Sequence, residues 1–135
     1  PPAPVFPAPA AMAEPPDLAS DLAANDTIFG RILRGEIPCD PVHADARCLA
    51  FRDVAPQAPV HILVIPRRRL VNLAEAQPHD AELLGHLLLV AAQVARQQGL
   101  TAFRTVINSG AEAGQTVFHL HVHVIGGRPL AWPPG

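Results

Sequence analysis

Three histidines, His119, His121 and His123, alternate with Leu120, Val122 and Val124 in the segment GQTVFHLHVHVIGG, residues 114–127. Side chains of an extended strand alternate between faces. The imidazoles therefore share one face, about 6.6 Å apart, while the aliphatic residues point into a core. Two chemistries use such a row. A His-x-His strand can bind zinc, with His61 arriving from a neighbouring strand, but no Asp, Glu or Cys lies beside the motif to balance a cation. An imidazole can instead act as a nucleophile on phosphorus. That needs one neutral ring nitrogen facing the phosphorus, and the other nitrogen donating to a fixed carbonyl that sets the tautomer. The flanking residues favour the second chemistry. Asn108-Ser109-Gly110 and Gly114-Gln115-Thr116 bring amides, a hydroxyl and close-approach glycines together. Oriented N–H groups of that kind cradle phosphate without lysine.

The chain has no lysine at all; its ten basic residues are arginines. Schiff-base chemistry, a P-loop lysine and a lysine general base are therefore excluded. Two cysteines, Cys39 and Cys48, are too few for a disulfide scaffold and match no zinc-knuckle spacing. A net charge of -2 argues against electrostatic binding to nucleic acid or anionic lipid. The apolar run Leu87–Ala92 is far short of the roughly 20 residues that span a bilayer. These features point to a cytoplasmic protein with no membrane or nucleic-acid partner.

The elements that position the histidines can be read from periodicity. Residues 1–25 hold seven of the sixteen prolines and are expected to stay outside the fold as an extended, solvated segment. The folded domain is expected over 26–135. Asn25-Asp26-Thr27 offers N-cap residues before Ile28, Phe29, Ile32 and Leu33, a short amphipathic helix ended by Gly35 and Pro38. Strands are expected over 42–45, 48–53 and 61–65, the last with branched residues on both faces, as in a central strand. Leu83, Leu84, Leu87, Leu88, Ala91, Val94 and Ala95 predict a long helix over 80–98, stopped by Gly99. Two more strands follow, 103–108 and 117–125. The pattern predicts an α+β domain in which helices cover an antiparallel sheet of about five strands.

The chain resembles the histidine-triad (HIT) superfamily, whose signature is His-x-His-x-His followed by apolar residues. TIFGRILRGEIP, CLAFRDVAPQAPVHILVIPRR and GGRPLAWPPG look like its Hint branch, the histidine-triad nucleotide-binding proteins, over residues 26–135. The resemblance implies a hydrolase that cleaves the P–N bond of purine nucleoside phosphoramidates and also acyl-adenylates, without metal or cofactor. Alternative activities are hydrolysis of dinucleoside polyphosphates and non-catalytic nucleotide binding. By position, His121 would be the nucleophile and His123 would bind phosphate oxygen. His119 and His61 would form a relay delivering a proton to the departing amine. Asn108, Gly114, Gln115, Thr116 and Val117 would line the phosphate and ribose site, with Asp53 on the ribose hydroxyls. Ile28, Phe29, Ile32, Phe51 and Val54 would sandwich the base. The resemblance also implies a homodimer with one continuous sheet, in which Trp132 contacts the leaving group in trans. Thr116 stands where many relatives have serine, and Arg69 where they commonly have histidine.

Overall fold

The computed structural model describes residues 17–135. Five strands form one antiparallel sheet in the order β1-β2-β3-β5-β4. They are β1 (Pro41–Ala44), β2 (Cys48–Arg52), β3 (Val60–Pro66), β4 (Phe103–Val106) and β5 (Val122–Gly126). The expected α+β class and strand count match this architecture. The central strand β3 is apolar on both sides because both sides are covered.

One face presents Ala50, Ile62, Val64, Val122 and Val124 to the long helix α3 (Ala81–Gln97), which contributes Leu87, Val90, Ala91, Val94 and Ala95. Each fully buried side chain of that size stabilises the fold by about 1.5–3 kcal/mol. The other face carries Leu49, Phe51, Leu63 and Ile65, against which α2 (Ile28–Leu33) packs Phe29. Thr27 caps α2, its hydroxyl accepting from the Gly30 amide at 3.1 Å. The short α2 covers only part of this face. The rest, where His61 on β3 and His123 on β5 lie diagonally across the ladder, is left for polar side chains.

Two expectations are corrected. Residues 17–25 are part of the fold: α1 (Leu18–Ala24) is capped by Asp17, and Asn25 is 1% exposed. Proline composition is a poor guide here because the last proline of that run is Pro16, and the segment after it is free to be helical. The Pro-rich expectation for 1–16 lies outside the described residues. The last strand begins at Val122, not Val117. Its ladder starts at Val122 opposite Val64 and at His123 opposite Val106, where β4 ends, while β3 runs on to Pro66. Upstream of that point the backbone leaves the sheet, with the Leu120 amide bonded to the Leu70 carbonyl and the His119 ring to the Pro66 carbonyl.

Candidate active site

His121 sits at the mouth of β5, and its Nδ1 lies 2.8 Å from the carbonyl oxygen of His119. A carbonyl only accepts, so Nδ1 carries the proton and Nε2 keeps a free lone pair. The ring is held edge-on by Phe29 at 5.0 Å between centroids. Burial lowers the His121 pKa, against the opposing pull of the His119 carbonyl, so the ring is neutral near pH 7.

His123 is the neighbour, 4.9 Å from His121 between ring centroids. Its tautomer follows from a chain of donors. The Gln57 amide donates to His61 Nδ1 at 3.0 Å, so His61 Nε2 bears the hydrogen and donates to His123 Nδ1 at 2.9 Å. A neutral His123 then carries its own hydrogen on Nε2, and among the described residues that buried atom has no partner. Burial, with the nearby His121 and His61 rings, pushes the His123 pKa down to about 4. An unpartnered buried N–H costs about 1–3 kcal/mol. Side by side, the site therefore offers a free lone pair on one imidazole and a free N–H on the next.

His119 plays a different part. Its Nε2 lies 2.8 Å from the Pro66 carbonyl and its Nδ1 2.9 Å from Asn25 Nδ2, so the ring donates to one and accepts from the other. The ring is fully buried, which pushes its pKa down to about 4. The structure does not join His119 to His61 by a hydrogen bond. Both nitrogens of His119 are engaged elsewhere, and the ladder register sets His61 against His123 instead. Asn25 is a site residue that sequence reading missed, because 94 residues separate it from its partner. Its Oδ1 also accepts from the Thr27 amide and hydroxyl, which ties the start of α2 to the histidine row. A Cβ on Gly30 would stand 2.5 Å from Asn25, so only glycine fits beneath it.

The other expected residues are placed unevenly. Asp53 caps its own turn by accepting from the Ala55 amide at 2.8 Å, and its second oxygen lies 3.5 Å from His61 Nε2. A carboxylate does therefore stand beside the histidines, contrary to the impression from sequence spacing; the β2–β3 pairing brings it there. Asp53, His61 and His123 have potential ligand atoms within 4.8 Å of one another, but the His61–His123 hydrogen bond already uses one nitrogen of each. Thr116, Val117 and Ile28 line a cleft of about 290 Å³ together with Asp26, Arg69 and Phe118. Asn108 lies against Gly114, whose φ of 98° is left-handed backbone that glycine adopts without strain.

The Gln115 side chain is engaged within the protein. Its amide accepts from Asn72 and the Gly110 amide and donates to the carbonyls of Val71 and Val117. All its hydrogen-bonding capacity is spent on bracing the loop that carries Asn108 and Gly114. Of the apolar set, Phe29 and Phe51 are core residues in edge contact, Ile32 is half-buried against them, and Ile28 and Val54 are exposed. Trp132 is 82% exposed.

The HIT domain family matches residues 34–130. This chain belongs to that family. An uncharacterized HIT-like protein of Synechococcus elongatus is 63% identical over 113 residues, covering 83% of this chain and 99% of the relative. Among solved structures, a HIT family hydrolase from Legionella pneumophila superposes with a TM-score of 0.80 at 41% identity, over 82% of this chain and all of that one. A histidine triad protein from Clostridium difficile gives a TM-score of 0.75 at 39% identity, over 78% and 94% of the two chains. The HIT signature in this chain is the row whose middle ring has the free nitrogen. No helix among the described residues of this HIT domain is long and apolar enough to cross a membrane.

Proposed function

We propose that this HIT domain is a hydrolase that cleaves the P–N bond of purine nucleoside phosphoramidates, with His121 as nucleophile. The carrying observation is the lone pair on His121 Nε2 beside the unpartnered Nε2–H of His123. The hydrolase description of the Legionella relative is consistent with this reading. His121 Nε2 forms a bond to the α-phosphorus as the P–N bond breaks, and the amine leaves with a proton taken from solvent. Water then attacks the nucleotidyl-histidine, returns a proton to solvent and releases the nucleoside monophosphate. The His123 N–H holds a phosphoryl oxygen throughout, and burial strengthens that contact. No step calls for a metal. Acyl-adenylates fit the same chemistry, with a carboxylate leaving in place of the amine.

Asp53 suits the ribose hydroxyls with the lone pairs that its turn leaves free, while Asn108, Gly114, Thr116 and Val117 line the phosphate and ribose side. Ile28, Ile32 and Val54 supply apolar surface at the rim for the base, backed by Phe29 and Phe51. The protein is further read as a cytoplasmic homodimer. Among the described residues strand β4 is an edge strand, and Leu88 and Leu89 on α3 are exposed, as a second copy would require. In that assembly Trp132 would reach the partner's leaving group.

Rapid quench with an AMP–amine conjugate, followed by mass spectrometry of the 114–127 peptide, tests the nucleophile. A transient adduct on His121 is expected. Its absence during active turnover removes the reading, as does activity lost on exhaustive chelation. Comparing that conjugate with a diadenosine polyphosphate tests the substrate; faster turnover of the polyphosphate would overturn the phosphoramidase assignment.

A further inference from the structure

A second cluster of metal-ligating side chains lies on the opposite side of the sheet, where the β1–β2 turn meets α3. His43 on β1 is in register with Ala50, on the face that α3 covers, and Cys48 opens β2 on that same side. Asp45 lies in the turn between them, and His86 reaches down from α3. One oxygen of Asp45, Oδ2, lies 2.7 Å from His43 Nε2, 2.7 Å from His86 Nε2 and 3.4 Å from Cys48 Sγ. The potential ligand atoms of His43, Asp45 and Cys48 all fall within 4.8 Å of one another.

We infer that this cluster is a divalent-cation site of the zinc class, with His43, Asp45 and Cys48 as ligands and His86 as the fourth. Two imidazoles, one thiolate and one carboxylate form a mixed N/S/O set that suits a borderline-soft ion without geometric preference of its own. Ligands of a tetrahedral zinc at the usual ~2.0–2.3 Å lie roughly 3.3–3.8 Å apart, so the His43, Asp45 and Cys48 atoms need only open around Asp45 Oδ2. His86, which touches Asp45 Oδ2 but lies outside that group of three, must also swing toward it. The carboxylate is already oriented. Its Oδ1 accepts from the Arg47 and Cys48 amides at 2.8 Å each, which leaves Oδ2 aimed into the cluster. Side-chain exposures of 19% for His43, 28% for Asp45 and 21% for His86 leave a way in, while Cys48 forms the buried floor.

Cys48 gives up its thiol proton to solvent as the metal–sulfur bond forms. His43 and His86 move their hydrogens from Nε2 to Nδ1, freeing Nε2 for the ion. For His86 this displaces Arg47, whose guanidinium now donates to His86 Nδ1 at 3.1 Å. Arg47 is exposed and free to swing into solvent. The ion would tie the β1–β2 hairpin to α3, a structural role on the face away from the triad. The inference does not depend on the proposed phosphoramidase activity.

Cobalt(II) titration of the full chain, after removal of bound metal by chelation, tests the site. One equivalent should bind with a thiolate-to-cobalt charge-transfer band, and zinc should displace it. Cys48→Ser should abolish the band, and His43→Gln or His86→Gln should weaken binding by tenfold or more, while Arg47→Ala should bind at least as tightly as the parent. Cys39→Ser and His121→Asn should leave the titration unchanged. Absence of the band at saturating cobalt in folded protein would overturn the site. So would a band that survives Cys48→Ser, or binding of one cobalt without the band, lost in His123→Asn, which would place the ion at Asp53, His61 and His123. Should Cys48→Ser fail to fold, His43→Gln decides on the half-buried side of the cluster.

Discussion

Two histidine clusters flank one sheet, and their partners separate them. On the α2 side, His121 donates to a backbone carbonyl and His123 accepts from another imidazole, so neutral rings are left with one free functional nitrogen each. On the α3 side, His43 and His86 converge on one carboxylate oxygen. Burial alone would push the Asp45 carboxyl up. The hydrogen bonds from His43, the Arg47 amide, His86 and the Cys48 amide outweigh it and hold Asp45 well below the usual carboxylate range. The lesson is that the same side chain becomes a reactive group or a tie according to what receives its proton.

The sharpest way to break this contrast is to exchange the two clusters' expected phenotypes. His121→Asn should reduce turnover by on the order of 10³-fold or more, since the nucleophile is gone. Steady-state AMP binding should survive. His43→Asn, in contrast, should leave turnover of an AMP–amine conjugate unchanged. The reverse pattern in a kinetic assay would refute the division of roles.

A second test uses pH. An unfolded histidine takes its proton near pH 6.5, whereas folded His119 and His123 resist until about 4. Between those values the unfolded chain binds more protons, so stability falls as the pH drops through that window and is level above it. For buried His119 the loss by pH 4 is about 3 kcal/mol. Thermal unfolding across that range should show the slope, and His119→Gln should flatten it. A parent protein as stable at pH 4 as at pH 7 contradicts the assignment of neutral, buried rings.

Asn25→Leu probes the long-range brace. Losing the donor to His119 leaves a buried acceptor unpaired, at about 1–3 kcal/mol, and frees the ring whose carbonyl fixes His121. We expect turnover to fall by about tenfold with KM little changed, and the acid limb of the rate profile to move. An unaltered profile would reduce Asn25 to a packing residue. The smallest effect belongs to His86→Asn, which removes one donor to Asp45. It should cost about 1–2 kcal/mol in chemical denaturation with no change in rate.

Legibility in the sequence followed the range of the interaction. The α2 helix was readable because Thr27 and the apolar spacing of Ile28, Phe29 and Ile32 are neighbours in the chain. The leucine period located α3 to within a residue at each end, Ala81–Gln97 against an expected 80–98. Alternation around the histidines showed which residues share a face. Hidden from local reading were the early end of the β5 ladder, the Asn25–His119 contact and the consumption of Gln115 by four partners. Each depends on a residue tens of positions away or on where a neighbouring strand stops. The α1 helix was missed for another reason, since a proline-rich average concealed a proline-free stretch after Pro16.

By itself, then, the sequence determined the periodicities, the caps and the row of imidazoles on one face. Those are properties of a single segment and its backbone geometry. Only the tertiary structure decided which nitrogen of each ring holds the hydrogen, because a tautomer is set by the groups that surround it. In this protein those groups are the Pro66 carbonyl and Asn25 around His119, the His61 ring at His123 and, for His121, the His119 carbonyl, presented where the backbone leaves the sheet.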